Sequence, residues 1–180
     1  CATDDARLTL ETALDAAACG AVVATYAKVI ELVRGADGRV HGAIVEGHTA
    51  GFAGARKEVR ASAVVNATGP WVDRFLDGAT PLPAVRHPRQ VKGSHIVVPQ
   101  LFSHPFAYIF QGADGRIVFA IPYEQNYTLI GTTEMDYTGD LASPAIAETE
   151  VEYLLALANR YFSSDLARKD VVWTFAGLRP

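Results

Sequence analysis

The stretch QVKGSHIVVP, residues 90–99, decides how the chain is read. Its second half, Ile96-Val97-Val98, is a short apolar run closed by proline, the pattern of a buried strand. Its first half is polar. Lys92, Gly93, Ser94 and His95 bring a cation, a flexible residue, a hydroxyl and an imidazole to the start of that strand. Alternate side chains of a regular strand share a face. His95 then lies with Gly93 and Val97, and Lys92 with Ser94 and Ile96. Lys92 and His95 serve one site only if Gly93 supports a bulge or kink. From the residues alone, His95 is either a core histidine satisfied by a backbone carbonyl or a group that carries chemistry.

Working downstream, FAYIFQ, RIVFAIPY and YTLIGTT are further β-like runs at similar spacing, which predicts an antiparallel sheet. SPAIAETEVEYLLALANRYF predicts a covering helix, with Ser143 as its cap, Pro144 in its first turn, and Val151, Leu154, Leu155 and Ala158 along one face. DVVWTFAGLRP closes with a strand. Upstream, GATPLPAVRHPR reads as a linker or domain crossing. Before it come an amphipathic helix in TDDARLTLETALDAAACG, two β-like segments around the Asp37-Gly38 turn, and a strand in KEVRASAVVNATGP whose Ala63-Val64-Val65 run looks fully buried. WVDRFLDG adds a short helix behind Pro70. RGADGRV and QGADGRI share turn chemistry, but their flanks differ and do not make a repeat. The predicted class is α+β in two units, 1–80 and 81–173, with 174–180 a strand returning toward the first unit.

Composition narrows the function classes. The chain has 180 residues, 49% hydrophobic and 20% charged, with a net charge of −4. That describes a globular protein rather than a disordered one, and nothing in it predicts a nucleic-acid surface. No apolar run reaches the length of a membrane span, and no signal peptide is evident. Cys1 and Cys19 form no CxxC pair and read as free thiols of a reducing compartment; no metal ligand set is expected. The triplets Asn66-Ala67-Thr68 and Asn126-Tyr127-Thr128 match the glycosylation pattern by coincidence. GxGxxG, GxxxxGK[ST], GxSxG, HExxH and the EF-hand loop are all absent. The start at Cys1 and the ending FAGLRP both read as cut from something longer.

Three features remain. In VVNATGPWVD a strand runs into Thr-Gly-Pro, freeing backbone N–H groups at the carboxyl end where open α/β sheets bind ligands. Gly69 allows close approach of a cofactor there, or else the segment is a plain strand followed by a turn with Pro70 at the first helical position. The second feature is His95 itself. The third is Arg179 beyond an apolar strand, suited to bidentate binding of a carboxylate or phosphate, or else to a surface salt bridge.

Taken together, DDARL, VVNATGPWVD, VKGSHIVVP, AYIFQGADGRIVFAIPYE, LIGTTEMDYTGD and DVVWTFAGLRP resemble the aerobic, FAD-dependent glycerol-3-phosphate dehydrogenases from about Asp4 to Pro180. The resemblance implies an internal fragment of such an enzyme, spanning part of a Rossmann-like FAD domain and a β-sheet substrate domain. The parent oxidises sn-glycerol 3-phosphate to dihydroxyacetone phosphate by hydride transfer to FAD. Its electrons pass to quinone at the inner face of the cytoplasmic membrane, where the otherwise cytoplasmic parent binds peripherally. Thr68 and Gly69 would lie near the ADP half of FAD and Val29 near the adenine. His95 would be the base, or its hydrogen-bond partner, for the C2 hydroxyl proton. Arg179 would bind substrate, and Lys92 would join the substrate-binding set. The family's GxGxxG fingerprint is absent from the chain, so the fragment alone is expected to be inactive, to hold FAD weakly or not at all, and to self-associate through exposed inter-domain surface. Two other readings stand beside this one: a relative of the FAD-dependent D-amino acid and sarcosine oxidases, and a stand-alone binding domain.

Overall fold

The computed structural model describes residues 3–79 and 88–180. They belong to two units, one up to His87 and one from Pro88. Cys1, His87, Pro81 and Pro83, and with them most of the expected crossing, lie outside the described residues.

In the first unit Asp4 accepts the Arg7 N–H at 3.0 Å and starts helix α1, Asp5–Ala18. Its apolar stripe forms as the periodicity predicts, yet Leu8, Leu10 and Leu14 stay more than half exposed. An antiparallel meander follows: β1 Ala27–Arg34, β2 Val40–Gly47 and β3 Arg56–Arg60. A 3-10 turn at Gly69–Trp71 leads into α2, Val72–Ala79, which packs on β1. The buried strand expected at Ala63-Val64-Val65 does not form: these residues lie in no strand, and Val65 is exposed. A strand exists only through ladder hydrogen bonds, and no described segment pairs with this one.

The second unit is the antiparallel sheet that the alternation predicts. Its strands are β4 Val91–Pro99, β5 Tyr108–Gln111, β6 Ile117–Tyr123, β7 Tyr127–Gly131, β8 Met135–Asp136 and β9 Trp173–Arg179. The order runs β5-β6-β7-β4, with β9 on the far side of β4. β7 and β8 share one edge of β4: Gly131 faces His95 and Met135 faces Lys92, so one extra residue bulges out between them. The segment 174–180 does not leave this sheet. β9 pairs with β4 from Val91↔Arg179 to Val97↔Trp173, because its alternation matches β4 residue for residue. Both GADG segments close the same turn: Gly38 N–H reaches Gly35 O and Gly115 N–H reaches Gly112 O, each at 3.0 Å, with Gly38 and Gly115 at positive φ.

Helix α3, Glu148–Tyr161, covers one face of the sheet. Val151, Leu154 and Ala158 close on Ile96, Val98, Val118, Ala120 and Ile130 to make the core. The helix begins later than Ser143-Pro144 suggests. Glu150 explains this: its carboxylate accepts the Ala147 N–H at 2.8 Å and caps the helix from within. The same carboxylate, only 4% exposed, takes Lys92 Nζ at 2.7 Å, Ser94 Oγ at 2.9 Å and Thr133 Oγ1 at 2.6 Å. Lys92 completes its shell by donating to Ala145 O at 2.8 Å. Burial alone would raise the Glu150 carboxyl; donors from Lys92, Thr133, Ala147 and Ser94 outweigh it and hold the group below its usual 4.5.

Removing one member of a buried ion pair strands the other. Glu150→Gln should therefore cost about 3 kcal/mol in urea unfolding of the chain, and the double change Lys92→Met, Glu150→Leu distinctly less. Because the folded carboxyl titrates below its unfolded value, its contribution is present above about pH 4.5 and is lost as pH falls through the depressed pKa. Glu150→Gln should flatten that acid limb.

Candidate functional site

β4 keeps its alternation, and this sorts the polar prelude onto two faces. Lys92 and Ser94 point under α3 to Glu150. His95 points to the opposite, open face with Gly93. Lys92 is thus not beside His95. The expectation that it binds substrate is corrected: its ammonium is buried in the Glu150 network, where it neutralises a carboxylate the fold has desolvated.

On the open face His95 is held from both sides. Its ring stacks on Phe175 of β9, with centroids 4.9 Å apart and planes 10° apart. Across β7 it lies over Gly131, where any Cβ would collide with the His95 ring. Among the described residues its Nδ1 is buried without a hydrogen-bond partner, so the backbone-satisfied core histidine is not what forms. Desolvation lowers the His95 pKa below 6.5 and leaves the imidazole neutral near pH 7, able to take up a proton.

Arg179 closes β9 on the same face, since the direct pairs His95↔Phe175, Gly93↔Gly177 and Val91↔Arg179 run along it. Four residues of strand separate the two rows, about 14 Å of backbone. Arg179 Nη2 lies 3.5 Å from Glu134 Oε1, both side chains more than half exposed. The two lie in a cleft of about 520 Å³ whose lining also includes Asp114, Arg116, Phe119 and Thr132. A loosely paired guanidinium at the mouth of a cleft can exchange its carboxylate for a ligand anion. Glu134, Thr132, Phe175 and Gly131 were not singled out from sequence. Their meaning comes from the register, which brings Gly131 and Phe175 to His95.

The three residues expected to meet a cofactor lie in the first unit. Val29 sits in β1 opposite Val45, next to a break in the register. Asn66 Oδ1 accepts both Thr68 N–H at 3.2 Å and Thr68 Oγ1 at 2.7 Å, folding the NATG segment into a tight turn. Gly69 follows at φ +55° with no heavy atom within 4 Å of a Cβ position. Asn66 Nδ2 is a buried donor without a partner among the described residues. A bare glycine beside a free donor at the entry to a helix suits one part of a dinucleotide cradle. The glycine-rich phosphate turn of that cradle is not among the 180 residues. Among the described residues no cluster of His, Cys, Asp or Glu could hold a metal ion.

Comparison with known proteins shows the family. The family described as FAD dependent oxidoreductase (DAO) matches the chain over residues 1–180. The chain is 43% identical to a glycerol-3-phosphate dehydrogenase of Pseudomonas aeruginosa over 180 residues, all of this chain and 34% of that protein. It is 40% identical to a D-erythritol 1-phosphate dehydrogenase of Brucella abortus, covering all of this chain and 35% of the relative. Among solved structures, the glycerol-3-phosphate dehydrogenase from Bacillus halodurans complexed with FAD superposes with a TM-score of 0.86 at 39% identity, over 98% of this chain and 35% of that one. The chain thus spans about a third of the length of the relatives it matches.

The burial of His95 has a direct readout. Its imidazole signals should titrate below 6.5 in an NMR pH series. Phe175→Ala, which uncovers the ring, should move the His95 midpoint up toward 6.5.

Proposed function

The chain belongs to the family of FAD-dependent oxidoreductases, and from that premise we propose that it is an internal segment of a dehydrogenase oxidising sn-glycerol 3-phosphate to dihydroxyacetone phosphate. The observation that carries this is one open sheet face bearing a neutral, partnerless imidazole and a cation four residues along. Oxidising a secondary alcohol removes a proton from oxygen and a hydrogen with its electron pair from carbon. FAD, when bound, accepts that electron pair. His95 takes the hydroxyl proton; it is uncharged near neutrality and its stack on Phe175 fixes the ring. Arg179 gives up Glu134 and holds the phosphate, which orients the carbinol toward His95. The Asn66–Gly69 turn and β1 around Val29 would hold the adenosine end of FAD.

The finer points of this proposal rest on the sequence resemblance to the aerobic enzymes. Electrons leave to a quinone, and the parent works from the cytoplasm, bound peripherally to the inner face of the membrane. Among the described residues no helix is long and apolar enough to cross it. The isolated chain retains little FAD and is inactive, because the phosphate-binding glycine turn is missing from its 180 residues. Its exposed Leu8, Leu14, Val65 and Trp71 favour self-association.

Two measurements test the proposal. The purified chain should show no stoichiometric flavin absorbance. In the complete FAD-loaded polypeptide, His95→Asn should lower kcat about 100-fold or more, and Arg179→Ala should act mainly on KM for glycerol 3-phosphate. Turnover of glycine or sarcosine in place of the phosphorylated polyol would overturn it.

A further inference from the structure

We propose that Gly177 and the Thr132 hydroxyl form a subsite for the carbon chain of a small, unbranched phosphorylated polyol, between the His95–Phe175 stack and Arg179. This rests on the functional reading above. Glycine inside a strand weakens it and persists where a positive φ, a bulge or a close neighbour requires it. Gly93 and Gly131 have such neighbours: a Cβ on Gly93 would collide with Thr132 Oγ1, and one on Gly131 with the His95 ring. Gly177 has none. It pairs directly with Gly93 in an unbroken ladder, its φ lies outside the left-handed region, and no heavy atom lies within 4 Å of its Cβ position. Nothing among the described residues requires glycine there, and the bare backbone leaves room for a ligand to lie against it.

The groups around that bare position define the ligand. His95 and Phe175 stand two residues to one side, about 7 Å along the strands, and Arg179 two residues to the other. Thr132 Oγ1 lies over the neighbouring Gly93 and lines the cleft with Arg179. Its proton is directed to Thr133 O at 3.0 Å, which leaves the oxygen's lone pairs to act as an acceptor. A ligand seated here presents an anion to Arg179, a hydroxyl donor to Thr132 and an oxidisable carbinol to His95. The part that crosses Gly177 has to be slim. A polyol phosphate without branches meets all four conditions, and a branched one collides with the floor.

The test uses Gly177→Val and Thr132→Val in the complete FAD-loaded polypeptide, assayed on sn-glycerol 3-phosphate. Valine suits a strand position with open space above it, so Gly177→Val should melt no lower than the unaltered protein and keep its flavin absorbance. Its KM should rise about tenfold or more, with kcat changed less. Thr132→Val should raise KM about three- to tenfold, and Thr132→Ser should restore it. An unchanged KM in Gly177→Val overturns the subsite. So does a rise that merely follows lost flavin or a lowered melting temperature. If the unaltered protein turns over glycerol 3-phosphate but neither variant changes KM, the subsite alone fails. If it oxidises no phosphorylated polyol, the functional reading fails and the subsite with it.

Discussion

A carboxylate buried under a helix has to be matched donor for donor, and the second unit is organised around that requirement at Glu150. Four groups meet it: Lys92 and Ser94 from β4, Thr133 from the bulge between β7 and β8, and the Ala147 N–H at the start of α3. Each donor fixes a different element. The helix starts where Glu150 can reach back to its own amide. The bulge is pinned because Thr133 also accepts the Ser94 N–H at 2.9 Å, a place where a regular ladder would use a carbonyl. His95 is the next residue along, so the backbone carrying the imidazole is tied from below by a network that never touches the open face.

This division of labour explains what sequence could and could not show. Alternation in residues 90–99 places His95 and Lys92 on opposite faces, and the sheet obeys it. The strands, the amphipathic face of α3 and the two GADG turns were legible for the same reason: period and turn chemistry are local. The role of Lys92 was not, because a buried lysine and a substrate-binding lysine look alike until the partner 58 residues downstream, Glu150, is placed. Glu134 and Phe175 were likewise invisible, since their meaning comes from register across strands that are distant in sequence.

The first unit shows the opposite limit. Ala63-Val64-Val65 has the composition of a buried parallel strand, and α1 has a well-formed apolar stripe, yet neither finds a partner among the described residues. Composition states what a segment is suited to, whereas a strand is a relation between segments. The antiparallel meander β1–β3 forms because each of its strands brings the next within a short turn.

β9 carries a consequence for how the site comes into being. The stacking ring, the glycine floor and the guanidinium all reside on the last strand of the chain, while the imidazole they serve is on β4. The helix-covered core can assemble from residues emerging earlier in synthesis, but the open face acquires its chemistry only when β9 docks. That is a long-range pairing of the kind that forms slowly. Until it docks, β4 exposes a free edge and an uncovered imidazole, so competence for ligand binding lags behind compaction.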